Sequence, residues 1–600
     1  MNDLELLRRY EPILRFTAGE LFYPCAVDGY VRQCSLNVRD RNGRSRVLAP
    51  RGTLDLDSLA VHGADTQERS LYLRFVEEPL SPREYQEWLL RPRRVRFEAP
   101  GRLARVPPWS RLLDSGFDLS VLVRGRVPGG TTAAAEIKYT ELTAHDDRRV
   151  YYGRVMRPGD WIVLHYLFFY AMNDWRSTFN GANDHEADWE QIFIYLYQTD
   201  DGALEPRWVA FASHDYHGDD LRRRWDDPLL VKEGTHPVVF AAAGSHASYF
   251  EAGEYVMRVE ARILRPVKRL AGALHRFWVE TLRQGQSTLV DRTVNALVDV
   301  PFVDYARGDG VVIGPGGNAE WTPILISDEV PWVGQYRGLW GLDTHDRFGG
   351  ERAPAGPKYN RGGSIRLSWY DPLGFAGLNK ILPPPRLAPA LGARQHALTL
   401  ELTELEYQIT EKRGAIQTLA LDEEALRATE YMSALHKQTA ADLAKAEETL
   451  RTLKARQNAL AQTRDAVEHY VRRVQAGWSD PPDAHLRHVH HPDPTPAPRR
   501  MLKVWAALSG ALALLAVGVL LVVWPRQWWF WALALLLGFA TVEAAAESRL
   551  LNFLLSVTVV MAAISALILI WEFWRILLVI ALAIAIVLMI RDNLRELRHA

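Results

Sequence analysis

The last hundred residues set the strongest limit on how this chain folds. Apolar runs occupy about 504–524, 527–545, 551–571 and 574–590. Hydrocarbon offers no partner to a backbone N–H or C=O, so a run that enters a bilayer must bond to itself as a helix. Crossing takes about 20 residues. The second and fourth runs sit near the short limit. The last two together cover about 40 residues, too many for one span, so a break is expected at Trp571-Glu572-Phe573-Trp574-Arg575. The other separators are Trp524-Pro525-Arg526-Gln527 and the stretch Glu543 to Arg549. Tryptophans cluster at the ends of the runs, as interfacial aromatics do. A transmembrane region of about four helices over 503–591 is expected. Glu543 and Glu547 fall near a span end, where interfacial acids are commoner than an ion path.

Basic residues orient such a region. Arg499, Arg500 and Lys503 precede the first run, Arg549 lies in the middle turn, and Arg591, Arg595 and Arg598 follow the last. Only Arg526 and Arg575 fall on the opposite side. This asymmetry predicts a multi-pass membrane protein with both termini and the large N-terminal domain in the cytoplasm. The opening MNDLELLRRYEPILRF has no apolar core of a secretory signal. Cys25 and Cys34 are the two cysteines, and a reducing compartment makes a disulfide between them unexpected.

Residues 1–385 carry few long apolar stretches. They hold short β-prone runs punctuated by Gly and Pro, and predict a mainly-β domain. Within it, Trp161 to Tyr170 (WIVLHYLFFY) reads as a central strand buried on both faces, and 189–198 reads the same way. Ser81-Pro82 marks a helix start, and 133–142 reads as a strand. Pro383-Pro384-Pro385 closes the domain. The net charge of −1 supplies no field for nucleic acid, which is not expected as a partner.

Residues 395–476 change to Ala, Leu, Glu, Lys and Arg. One heptad register runs through Leu402, Leu405, Ile409, Ile416, Leu419 and Leu426. A second runs through Leu443, Ala446, Leu450, Leu453, Leu460, Val467, Val471 and Val474. Their phases differ across Glu430 to Thr439, which predicts two helices or one with a discontinuity. An antiparallel hairpin and a coiled coil forming a homo-oligomer are both open, as is a plain spacer arm. Residues 477–502 read as a Pro/His-rich linker. Its His485, His488, His490 and His491 would make only a weak metal site.

Asn183 to Glu190 (NDHEADWE) runs straight into an apolar strand. Asp188 and Glu190 are two apart, so a strand puts them on one face and Trp189 on the other. His185 can fold back toward them from the loop. Two carboxylates and an imidazole suit a hard divalent cation, Mg or Ca before Mn. Asp174 and Asp184 could complete the shell. A solvated turn is the plainer reading, but carboxylates entering an apolar strand need a cation or Arg partners. In the GSHASY turn, His246 is a candidate ligand or general base. His214 and His165 are weaker, and a histidine inside an apolar strand, such as His165, is usually a core residue.

YEPILRFTAGELFYP (10–24), YYGRV (151–155), LHYLFFYAMN (164–173), NDHEADWE (183–190), VVFAAAGSHASYF (238–250), RGLWG and WYDP carry a resemblance. Residues 8–380 resemble the vacuolar protein sorting-associated protein 62 family, whose core is related to the necrosis- and ethylene-inducing peptide-like proteins. The resemblance implies an actinoporin-like β-sandwich with insertions. Those relatives carry a GHRHDWE heptapeptide that helps bind a divalent cation and engages a glycosylated sphingolipid head group. Its first His, Asp and Glu fall on His185, Asp188 and Glu190, and an upstream acid best matches Asp174. Its Gly, Arg and second His become Asp184, Glu186 and Ala187, so the metal set can persist while the lipid specificity does not. The leading expectation is a membrane-anchored module whose cytoplasmic sandwich binds a divalent cation and a polar lipid head group or other anionic ligand, in membrane trafficking or remodelling. The helical arm would set its height or oligomeric state. A metal-dependent hydrolase using His246 and a non-catalytic membrane scaffold are the rivals. Enzyme function is left undecided, with the balance against it.

Overall fold

The computed structural model describes residues 1–598 apart from 41, 65–69, 93–96, 99–101, 105–110, 113–114, 117–118, 120–126, 128, 175–183, 214–215, 261–298, 345–351, 489–490, 494–499 and 524–527. In chain order the strands begin with β1 (Ile13–Phe16), β2 (Ser35–Arg39), β3 (Ser45–Ala49), β4 (Ser70–Arg74), β5 (Arg149–Met156), β6 (Trp161–Asn173), β7 (His185–Gln198) and β8 (Leu204–Phe211). They continue with β9 (Arg222–Arg224), β10 (Lys232–Glu233), β11 (His236–Ala241), β12 (Ser248–Tyr249), β13 (Gly253–Glu260), β14 (Asp299–Ala306), β15 (Val312–Ile313) and β16 (Trp321–Leu325). The principal helices are α1 (Gly130–His145), α2 (Pro384–Arg427), α3 (Ser433–Gln475), α4 (Arg500–Val523), α5 (Trp528–Ala546) and α6 (Leu550–Arg598). The chain is therefore an N-terminal β-sheet region, then a long helical hairpin, then apolar helices.

A six-stranded sheet runs β16-β5-β6-β7-β8-β9, antiparallel except for the parallel β16–β5 pair. A five-stranded sheet runs β10-β11-β1-β15, with β12 also on β11. The two sheets share one core. Leu14, Phe16, Val239 and Ala241 of the smaller sheet meet Leu164, Tyr166, Ile192, Ile194, Val209 and Phe211 of the larger. The opposite face of the larger sheet gives Leu167, Phe169, Ala171 and Trp189 to a second core. That core is filled by Ala135 and Tyr139 of α1, Leu36 and Leu73 of the β3-β2-β4 sheet, and Trp332 and Trp340. β6 and the inner part of β7 are thus buried on both sides, as their unbroken aromatic and β-branched runs predict. Each such large side chain contributes about 1.5–3 kcal/mol by leaving water.

Other expectations fare unevenly. Ser81 caps the helix Pro82–Leu89 and forms a capping box with Glu84. Residues 133–142 are not a strand but lie inside α1. In TTAAAEIKYTEL seven of twelve residues are the good helix formers Ala, Glu, Lys and Leu, and that intrinsic preference prevails. Cys25 and Cys34 are buried free thiols, and burial pushes the Cys25 thiol up to about 12.

The heptad stretch is an antiparallel hairpin of α2 and α3, turning through Ala428–Met432. The turn falls at the start of the phase break. Leu402, Leu405 and Ile409 are buried, and the later seam positions from Ile416 to Val474 are half-buried. The residues before the apolar helices are not a free linker over their described part. Arg224 Nη1 donates to Asp480 O (2.5 Å), and His485 Nε2 lies 3.0 Å from Arg222 O. His488 Nδ1 meets Asp220 (3.0 Å) and His491 Nδ1 meets Glu251 (2.8 Å). These histidines are spent on separate partners, which argues against a shared metal site. His490 lies outside the described residues.

At the C-terminus, two stretches are long and apolar enough to cross a membrane among the described residues, Arg500–Val523 and Trp571–Arg591. Phe530–Ala546 is shorter. The expected break at Trp571–Arg575 is absent, because α6 runs unbroken through it. Glu572 and Arg575 make the segment polar, but no Gly or Pro interrupts 550–598, so nothing there stops a helix.

The hairpin seam can be tested directly. Leu405→Ala is expected to cost about 2–5 kcal/mol and lower the helical melting transition seen by circular dichroism. Leu421→Ala, 72% exposed, is expected to stay within about 0.5 kcal/mol of the parent.

Candidate functional site

β6 and β7 pair in register from Trp161↔Tyr197 to Asn173↔His185, with the pair Ala171↔Ala187 missing. Ala187 is the cause, since its φ of 58° is left-handed and departs from strand geometry. Strand alternation holds beyond this point. Trp189 packs into the core shared with α1, and Asp188 projects toward Tyr170 and His246. Before it, alternation fails: Glu186 turns to the same side as Ala187. Its carboxylate accepts from Phe75 N (2.8 Å), Val76 N (2.9 Å) and Leu342 N (3.0 Å). Burial raises its pKa in spite of those three donors. Gly341 lies so close that a Cβ there would sit 2.4 Å from Glu186 Cβ.

The turn Ala242–Ala247 brings the second motif to the same place. Gly244 (φ 72°) and His246 (φ 56°) are both left-handed, and Ala242 N donates to Ala247 O (3.0 Å). The turn is held from three sides. Asp174 N donates to Gly244 O (2.8 Å), Gly244 N donates to Glu20 Oε2 (2.8 Å), and Ser245 Oγ donates to Asp304 Oδ1 (2.7 Å). His246 is 1% exposed and stacks on Tyr170 with ring centres 3.7 Å apart. Its Nδ1 lies 3.0 Å from Asp188 Oδ2, and its Nε2 lies 3.8 Å from Glu20 Oε1, inside ion-pair range but beyond a hydrogen bond.

The electrostatics follow from these contacts. Burial alone would lower the His246 pKa. The hydrogen bond to Asp188 and the Glu20 carboxylate outweigh burial and raise it to about 9, so the ring is an imidazolium at neutral pH. Burial would raise Asp188, but the His246 bond, the charges of His185 and His246, and the Asn173 bond bring it below the usual carboxylate range. Burial, and then the Asp188 charge, push Glu190 well up, and the Arg366 charge offsets only part of this.

The residues of the expected metal set have protein partners. Asp188 is saturated by protein donors: Oδ1 accepts from Trp189 N (3.0 Å), and Oδ2 from Asn173 Nδ2 (3.1 Å) and His246. His185 Nδ1 is turned to Ala187 O (2.7 Å). Asp184 Oδ2 accepts from Thr132 Oγ1 (3.1 Å), and Asp174 contacts the His246 turn through its backbone. Among the described residues no group of three or more His, Cys, Asp or Glu could hold a metal ion. As arranged, Asp188 already has a cationic partner in His246, and His185 Nδ1 is turned to a backbone carbonyl. His246 is brought to the motif as expected, yet its burial leaves a substrate no approach to it as a base. His165 is the core histidine it looked like, bonded to Gln191 (3.0 Å) and stacked on Phe193. His214 lies outside the described residues. Glu20 and Asp304 were missed. Each is a lone acid among apolar neighbours (GELF, FVDYA), and that placement is the signal that could have found them.

This network makes stability pH-dependent. An imidazole near 6.5 when unfolded and about 9 in the fold favours the fold fully below 6.5, and that favour disappears as pH rises through 9. The unfolding free energy is expected to fall by roughly 3 kcal/mol over that window. His246→Gln is expected to flatten the profile there. Asp188→Asn, which strands a buried cation, is expected to cost about 3–5 kcal/mol at neutral pH. Denaturant titrations at a series of pH values measure all three.

No protein-family model, no curated protein and no solved structure matches this chain.

Proposed function

We propose that this chain is a membrane-anchored, non-catalytic binding scaffold. Its β-region is of the vacuolar protein sorting-associated protein 62 type, acts on the cytoplasmic side, and serves membrane trafficking or remodelling. One observation carries the anchoring: Arg500–Val523 and Trp571–Arg591 are apolar helices with almost no protein cover. In water that surface is costly, and in a bilayer it is at home. With Arg500–Val523 and Trp571–Arg591 as the two spans, Arg499, Arg500 and Lys503 at the start of the first and Arg591, Arg595 and Arg598 at and after the end of the second favour both termini in the cytoplasm. The non-catalytic reading is supported by the closure of the His246–Asp188–Glu20 cluster. On this reading the NDHEADWE motif is a buckle between the two sheets, in an actinoporin-like sandwich.

A second reading, cation-dependent recognition of a polar head group, keeps one observation in its favour. Asn173 Oδ1, beside Asp188, is buried and accepts no hydrogen bond. Buried acceptors normally find a donor or an ion.

Both readings meet the same two measurements. The full chain is expected to stay in the membrane pellet through alkaline extraction, and a chain ending before Arg500 is expected to leave it. Calorimetric titration with Mg, Ca or Mn is expected to give no stoichiometric binding. Stoichiometric binding lost in Asp188→Asn/Glu190→Gln would reverse the order of the two readings.

A further inference from the structure

The sheet β3-β2-β4 has two unlike edges. The chain itself closes the β4 edge: Leu73 N donates to Leu339 O and Leu339 N donates to Leu71 O, both at 2.9 Å. The β3 edge is open. β3 pairs with β2 alone, and among the described residues no backbone group of Ser45–Ala49 bonds to anything on the outer side. Ser45, Arg46 and Val47 are exposed, Val47 at 56%. A row of unpaired N–H and C=O groups on an exposed edge is a template for another strand. The edge is also preformed. β2 behind it is buried and pairs on both sides, and Leu48 packs against the core. Asp40 pins the turn into β3, its Oδ1 accepting from Asn42 N (2.9 Å) and Arg44 N (2.8 Å). Little ordering of the protein therefore opposes an added strand.

The charges along the edge set what such a strand carries. Arg44 and Arg46 are exposed, and among the described residues their guanidinium groups make no hydrogen bond or ion pair. Arg39 and Arg51 nearby are already answered, by Asp343 (3.2 Å) and Glu141 (3.7 Å). Arg44 and Arg46 are two apart, so extended chain puts them on one face and Val47 on the other. An added strand alternates in the same way. Acids at alternate positions then meet the two arginines, where a carboxylate forms charge-assisted hydrogen bonds with a guanidinium. Apolar residues between them meet Val47. Backbone pairing supplies the attachment, and the side chains opposite Arg44, Arg46 and Val47 supply the selection.

We propose that the β3 edge docks an extended acidic segment of a partner protein, which joins the sheet as a further strand with its carboxylates on Arg44 and Arg46. This edge is separate from the His246 network and from the apolar helices, so docking there depends on neither. The test titrates the full chain, in detergent micelles at low salt, into a fluorescein-labelled peptide Glu-Val-Glu-Val-Glu, read by fluorescence polarisation. Saturable binding is expected, with slowed amide hydrogen exchange over 45–49. Arg44→Glu/Arg46→Glu is expected to weaken binding about ten-fold. Both side chains are exposed, so the thermal melt of that variant is expected to match the parent. The peptide Glu-Pro-Glu-Pro-Glu keeps every charge but lacks two backbone donors, and is expected not to bind. Equal binding of the proline peptide would mean attraction of any anion to a basic surface, and would overturn strand addition. Binding indifferent to the double variant would overturn the arginine pairing. No binding and no protection of 45–49 would make the arginines a guard against strand pairing, and would overturn the proposal outright.

Discussion

Burying Asp188 beside Tyr170 obliges the fold to bring a positive charge to it. That charge is His246, fifty-eight residues later in sequence, and delivering it fixes much else. The ring reaches Asp188 only from a left-handed residue in a tight turn. The turn is held by Glu20 from the loop after β1 and by Asp304 from β14. β1 and β11 belong to one sheet and β7 to the other, so a single imidazolium ties both sheets together. Hydrophobic packing between the sheets is non-directional and would tolerate sliding. The ion pair, with its hydrogen bonds, sets one register.

The same rule operates at the apolar helices. Glu543 lies on an apolar helix, and Arg111 comes from some 430 residues upstream to give its carboxylate a two-pronged contact. In both places a carboxylate sits in an apolar sequence and a distant basic group answers it. The motif residues His185, Asp188 and Glu190 were visible from their run into a strand, and so was the sharing of a face by Asp188 and Glu190. The answering partner was not visible in local sequence, because a metal, an Arg or a His satisfies a buried carboxylate equally well on paper. The delivered position of His246 gives Asp188 its histidine partner. Glu186 was hidden for a different reason. Strand alternation assigns it to the face opposite Ala187, and the positive φ of Ala187 cancels the rule at that one residue.

The helices were legible where periodicity is long. Two registers, out of phase, gave two helices, and the seam residues are the covered ones. Pro and His composition speaks of local stiffness in the linker and says nothing of distant partners such as Asp220 and Glu251. The break expected in α6 failed because charged residues mark a preferred depth in a bilayer but do not themselves interrupt hydrogen bonding along a helix.

These attachments change what the hairpin can be. If it were a spacer between the β-region and the membrane, its first root would lie on the β-region and its second near α4. Instead both roots lie on the β-region. Trp161 Nε1 donates to Ile381 O (3.3 Å) and Arg386 pairs with Asp160 (3.2 Å) at the start, while Asp480 and His485 are held by Arg224 and Arg222 at the end. The chain leaves the β-region, runs out along α2 for about 66 Å, returns along α3, and lies back on β8 and β9 before it enters α4. An arm rooted this way does not separate the β-region from the apolar helices. The described residues between Asp480 and His491 lie against the β-region, and Arg111 joins α5 to it. The hairpin is therefore a side arm of the β-region, and the chain returns to that region before it continues into α4.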